Sequence, residues 1–172
     1  DVEVAVAIAS AALKAAIDRG GPFASELATL EGVKPDDPAV KELATFAATG
    51  VPSRASLVAD FPKAAETMLA AVRAEDPNQS LTDRLLSSAL SAVQVRPVGE
   101  VEGEGPEAVI ARMEIRLTNG DFAAAAAEWE KLPESARKAS EAYKKSLDAR
   151  IRVEQLVGTA LTRAVSATKT DG

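Results

Sequence analysis

The side chains available for chemistry are Asp, Glu, Lys, Ser and Tyr, because the sequence contains neither cysteine nor histidine. That rules out disulfides, thiolate nucleophiles, zinc sites of the usual kind and any Ser-His or Cys-His relay. The remaining groups form no recognisable catalytic arrangement, so the chain reads as non-enzymatic, with no cofactor and no metal. Glu100, Glu102 and Glu104 alternate along one loop, a pattern that could attract calcium. EF-hand spacing is missing, however, and a solvated acidic loop is the simpler reading. Gly99, Gly103 and Gly105 lie in the same loop, where no strand precedes them and the glutamates would repel a phosphate. Lys144, Lys145, Arg150 and Arg152 form a basic set that reads as a solvated helix face paired with Glu141, Asp148 and Glu154. Trp129 reads as a core anchor rather than a binding-site ring.

Charge narrows the partners further. A net charge of −6 and a pI near 4.8 argue against sequence-independent binding to nucleic acid and equally against bulk attraction to anionic lipid. With 172 residues, 47% of them apolar, the chain can form one ordinary domain or two small lobes around a core. Aromatic residues make up only 3%, and Ala, Leu and Val dominate the apolar content, which favours close-packed helices over sheets. The expected fold class is all-α. No run approaches the ~18 apolar residues of a transmembrane helix, and no basic-then-apolar leader opens the chain. Asp1 stands where Met would begin a complete protein, so the chain reads as an excised or processed piece.

The elements that must position these residues fall on either side of one central segment, Leu81 to Gly99. At about 100° per residue, Leu81, Leu85, Leu86, Ala89, Leu90, Ala92 and Val93 share one broad arc, opposite Asp83, Ser87, Ser91 and Gln94. Pro97 should end this amphipathic helix near Val95 or Arg96. Burial in a helical core is the reading that apolar spacing favours. The alternative is a helix in a membrane interface, with its leucines in the acyl boundary and Arg84 and Arg96 near headgroups.

Before that segment, short helices are expected in a lobe spanning 1–77. The first runs from Asp1 to Arg19 with Val2, Val6, Ala9, Leu13, Ala16 and Ile17 inward. Gly20 and Gly21 end it. Pro22 suits the first turn of a second helix carrying Phe23, Leu27 and Leu30, which Gly32 stops. Asp36, Asp37 and Pro38 start a third, with Val40, Leu43, Phe46 and Ala47 inward. Gly50, Val51 and Pro52 form a turn, Ser53 a cap, and Asp60-Phe61-Pro62 a break or kink before a helix that buries Phe61, Ala65, Met68, Leu69 and Val72. Asp76, Pro77 and Asn78 close the lobe. A hinge segment, 78–99, follows, and then a C-terminal part, 100–172. There Glu107 to Thr118 buries Val109, Ile110, Met113 and Leu117. Asn119-Gly120-Asp121 joins it to Phe122–Leu132, where Phe122, Ala126, Trp129 and Leu132 align. One long helix is expected from Glu134 to about Thr168, with Ala136, Ala139, Tyr143, Leu147, Ile151, Val157, Leu161 and Val165 along it and Gly158 as its weak point. The hairpin has the look of a tetratricopeptide unit, but no 34-residue repeat recurs.

Four stretches, AAIDRGGPFASELATLE, ATGVPSRASLVADFP, LLSSALSAVQVRPVGEVEGEGPEAVIARME and LTNGDFAAAAAEWEKLP, occur in an order that resembles the C-terminal mitofilin domain of the alphaproteobacterial mitofilin family. These are the bacterial relatives of the mitochondrial cristae-organising protein. The resemblance covers nearly the whole chain. It implies a non-catalytic, membrane-shaping scaffold with an upstream anchor and coiled coil, on the periplasmic side of the bacterial inner membrane. The implied partners are a second copy of the chain, the membrane lipid surface, and outer-membrane assembly proteins or other membrane-organising subunits. It also implies lipid binding by an amphipathic segment, a place that Leu81, Arg84, Leu85, Leu86, Leu90, Val93 and Arg96 occupy here. The competing reading is a soluble helical-repeat-like adaptor without a membrane role.

Overall fold

The computed structural model describes residues 1–75 and 102–170, with the side chains of 167–170 left aside. Its elements are α1 (Val2–Arg19), α2 (Ala24–Val33), α3 (Pro38–Ala47), α4 (Arg54–Ala74), α5 (Pro106–Thr118), α6 (Phe122–Trp129), α7 (Glu134–Ala139) and α8 (Glu141–Thr170). The all-α expectation holds: among the described residues the only sheet-type pairing is an isolated bridge between Gly21 and Val51. The expected turn at Asp76, Pro77 and Asn78 and the central amphipathic helix lie outside the described residues. Packing divides the chain into two units, Asp1–Leu57 with Lys145–Gly172, and Val58–Lys144.

In the first unit, the Asp1 carboxylate accepts from the Glu3 N–H and starts α1. Its buried row is Val6, Ala9, Leu13, Ala16 and Ile17. Val2, expected inward, is 64% exposed, because the core cluster begins one turn later at Val6. Phe23, Leu27 and Leu30 are buried as expected. Pro22 precedes α2 rather than opening it, and Gly32 continues the helix to Val33, where the Lys34 N–H bonds the Leu30 carbonyl. Asp37 caps α3 by accepting from the Ala39 N–H at 2.8 Å, and Pro38 presets the first turn. Val40, Leu43 and Ala47 are buried, while Phe46 is half-buried against the same cluster. Gly50 turns the chain with φ 71°, and a Cβ there would stand 2.0 Å from the Gly21 carbonyl oxygen. Only glycine fits such an approach.

Ser53 then caps α4, its Oγ accepting from the Ser56 N–H at 3.1 Å. Of the break or kink expected at Pro62, a break does not occur: α4 is one helix of 21 residues with the proline inside it. Proline removes its own N–H from the ladder. Burial of Phe61 just before it and Met68 after it offsets that loss.

In the second unit, α5 buries Val109, Ile110, Met113 and Leu117 in the expected row. Gly120, with φ 79°, and Asp121, whose carboxylate accepts from the Ala124 N–H, turn the chain into α6. Ala125, not Ala126, takes the inner position. The α-helix ends at Trp129, and tighter bonds from the Lys131 and Leu132 N–H groups carry Leu132 into the core. The single long helix expected from Glu134 is two helices, broken at Ser140. There the hydroxyl donates to the Ala136 carbonyl at 2.7 Å and accepts from Trp129 Nε1 at 2.9 Å. A serine that serves both a backbone and a ring competes with the helical ladder. Ala139 is accordingly exposed. Phe61 and Tyr143 rings meet at 5.8 Å, and burial pushes the Tyr143 hydroxyl pKa upward, with the Asp60 charge adding to it.

Candidate functional site

The residues assigned to lipid from the sequence, Leu81, Arg84, Leu85, Leu86, Leu90, Val93 and Arg96, lie outside the described residues. Within the described chain, the basic set on α8 behaves differently from expectation. Arg150, read as solvated, is fully buried in the first unit. Its position explains why: it falls in the row of Leu147, Val153 and Val157, three or four residues apart, which is the inner row of α8. Ile151 and Leu161 are half-buried and Val165 is 49% exposed, so the inner face lies to one side of the expected one.

A buried guanidinium needs acceptors. Arg150 Nε donates to the Pro52 carbonyl at 2.7 Å, and Nη2 donates to the Ile17 carbonyl at 2.8 Å and more weakly to Val51 at 3.5 Å. Ile17 stands in the last turn of α1, where its carbonyl accepts from the Gly20 N–H at 3.0 Å and takes Arg150 as a second donor. Arg150 therefore ties the end of α1 and the turn before α4 to α8. Burial lowers its pKa from the ordinary arginine value, and the Glu154 and Asp18 charges oppose that fall.

Glu154 connects this clasp to a cleft of about 690 Å³. It accepts from Arg54 Nε and Nη2, both at 2.7 Å, and lies 3.5 Å from Arg150 Nη1. This two-pronged bond raises the Arg54 pKa. The cleft is walled by Lys14, Asp18 and Arg19 at the end of α1, by Ser53 and Arg54 at the start of α4, and by Arg150, Glu154 and Gly158 on α8. Nearby, Arg152 reaches α3 to bond Glu42, with a longer bond to Gln155 on its own helix, and the Glu42 bond holds that carboxyl below its ordinary pKa. Arg163 likewise reaches the Asp37 carboxylate, the cap of α3, at 3.2 Å. The sequence contained one signal for all this: an arginine set in an apolar row.

The second unit holds Lys144 of the set. The Lys144 ammonium sits 4.7 Å above the Trp129 ring, so Trp129 is a core anchor that also carries a cation. Glu128, buried on α6, accepts from Arg112 Nε at 2.9 Å and from Lys131 at 3.4 Å. Burial alone would raise its pKa, but Arg112 and Lys131 outweigh that and lower it. Arg112 also donates to the Gly103 carbonyl at 2.6 Å, which pins the end of the acidic loop.

The outer side of α1 is apolar too. Val4 and Ile8 are 49% and 65% exposed, and Ala11 and Ala15 continue the row in open solvent. Among the described residues no group of three or more carboxylates could hold a metal ion, and no helix is long and apolar enough to cross a membrane.

Comparison with known proteins places these features in a family. The model of the Mitofilin family, described as mitochondrial inner membrane protein, matches residues 4–164. MICOS complex subunit MIC60 of Phaeosphaeria nodorum is 36% identical over 132 residues, which are 70% of this chain and 21% of that protein. The subunit of the same name from Pyrenophora tritici-repentis is 38% identical over 115 residues, 62% of this chain and 17% of that protein. The chain thus spans about a fifth of the length of the curated relatives it matches. No solved structure matches it. Since the family match extends from the first turn of α1 to the last turns of α8, the chain belongs to the mitofilin family.

Proposed function

We propose that this chain is a non-catalytic scaffold domain that pairs with a second copy of itself, meets the lipid surface, and helps bend the inner membrane and form its contact sites. The observation that carries the reading is the family match over residues 4–164. Relatives named as subunits of a membrane-organising complex support partnership with other such subunits. The proposed location is the periplasmic face of a bacterial inner membrane, which corresponds to the intermembrane-space face in mitochondria. For pairing, the supporting surface is the row Val4, Ile8, Ala11 and Ala15, whose 4-3-4 spacing matches a coiled-coil seam on the solvent side of α1. For lipid, the supporting segment is Leu81 to Arg96.

Two measurements test the two halves. Sedimentation of the full chain from micromolar to near-millimolar concentration should show a dimer or larger species that Ile8→Asp weakens. A monomer throughout would sink the pairing surface. Flotation with liposomes should fall for Leu86→Asp while its melting temperature in water stays near that of the parent, and Leu85→Asp should melt the fold. Equal melting of both variants would assign the segment to the core, and equal flotation of Leu86→Asp and parent would remove the lipid role.

A further inference from the structure

We propose that the cleft of the first unit is a binding site for a phosphate-bearing dianion. This goes beyond the scaffold reading and does not depend on it. Four cations line the cleft, Lys14, Arg19, Arg54 and Arg150, against two carboxylates, Asp18 and Glu154. A chain of net charge −6 therefore keeps a locally positive concavity. A recess lined by an excess of one sign concentrates the opposite ion within it.

The arrangement also sorts its cations by task. Arg150 is committed to carbonyls and Glu154, and Arg54 grips Glu154 with two donors. Lys14 and Arg19 are held only by single pairs near the surface, with side chains 52% and 68% exposed. Lys14 pairs with Asp18 one turn away, and Arg19 meets Glu26 at 3.9 Å. Exposed pairs of this kind are weak, so exchanging them for a doubly charged phosphate costs little. Guanidinium groups bind phosphate oxygens with strong, charge-assisted bonds. Ser53, Arg54 and Ala55, at the start of α4, border the same space, and Gly158 leaves the α8 wall without a side chain. At about 690 Å³, the cleft has room for a diphosphate or a phosphomonoester headgroup.

Inorganic pyrophosphate is the probe. Titration calorimetry on the full chain should give saturable one-to-one binding that weakens at least about tenfold in Lys14→Glu/Arg19→Glu. Each lost contact of about 1.4 kcal/mol corresponds to a factor of ten. Gly158→Asp, which adds a carboxylate facing open space and removes no ion pair, should weaken binding likewise and decides the matter if the double variant unfolds. Flotation with phosphatidylcholine vesicles, with and without phosphatidic acid, separates the sources. Phosphatidic acid-dependent flotation lost in the variants assigns a lipid headgroup; pyrophosphate binding without such flotation assigns a free phosphate compound. Both outcomes uphold the site. Absence of saturable binding to the parent chain, or equal affinity in Gly158→Asp, would overturn it.

Discussion

Arg150 in the first unit and Glu128 in the second are the buried charges among the described residues, and their partners come from very different distances along the chain. Arg150 reaches carbonyls 98 and 133 residues away, on two segments that its own helix does not adjoin in sequence. Glu128 takes one partner 16 residues away, across a hairpin, and another three residues on. Both charges are satisfied, which is the condition for keeping a charge out of water. The first unit must be assembled before its charge has a home. The second unit's charge is met as soon as the hairpin closes. The first unit's buried charge therefore rests on contacts far apart in sequence, and the second unit's on contacts nearby.

The largest effect that would sharpen this contrast is at Gly50. Gly50→Ala places a Cβ against the Gly21 backbone at a positive φ, where neither flexible side chain nor rotamer can yield. Upwards of about 4 kcal/mol should be lost, enough to unfold a marginal domain, read as a collapse of the urea midpoint. A near-normal midpoint would show that the junction of the two turns bears little load.

Arg150→Met comes next. It keeps the volume roughly constant but removes the Arg150 donors from the Pro52 and Ile17 carbonyls, leaving Ile17 only the Gly20 N–H, and deprives Glu154 of one of its cations. Breaking a buried charge cluster in this way should cost about 3–5 kcal/mol. If chemical unfolding showed a stabilised protein instead, packing rather than the clasp would be what holds the first unit.

In the second unit, the corresponding change is Glu128→Gln, with an expected loss of about 1.5–3 kcal/mol near pH 7 as the charge-assisted bonds weaken. Its pH dependence follows from a folded pKa lowered from 4.5. The unfolded chain binds a proton first as pH falls, so the stability from the ionised carboxylate is present above about 4.5 and fades below it, through the lowered folded value. Midpoints of parent and variant should converge in acid. A constant gap down to pH 2 would mean the pair has no role in acid unfolding.

The smallest effect expected is a gain. Gly158→Ala adds a methyl where nothing lies within 4 Å, in a helical position, and should stabilise by about 0.5–1 kcal/mol. A lower melting temperature would show that α8 needs its glycine.

The sequence by itself determined the helices and most of their ends, since caps, prolines and apolar rows act within about four residues. Asp37-Pro38, Ser53 and Asn119-Gly120-Asp121 perform the expected tasks, and Val109, Ile110, Met113 and Leu117 are buried in the expected row. Local rules failed where a distant group intervened. Ser140 breaks the last helix because the Trp129 ring comes to its hydroxyl, and Pro62 fails to break α4 because Phe61 and Met68 are buried around it. The cleft and its clasp were beyond local reading for the same reason. Arg150 stands in an apolar row, but its acceptors appear only when the end of α1 and the turn at Pro52 bring it their carbonyls, and the close approach of Gly21 and Gly50 exists only once both turns have met. Tertiary structure alone decided these, because the free energy of a buried charge or a backbone contact depends on what surrounds it in space.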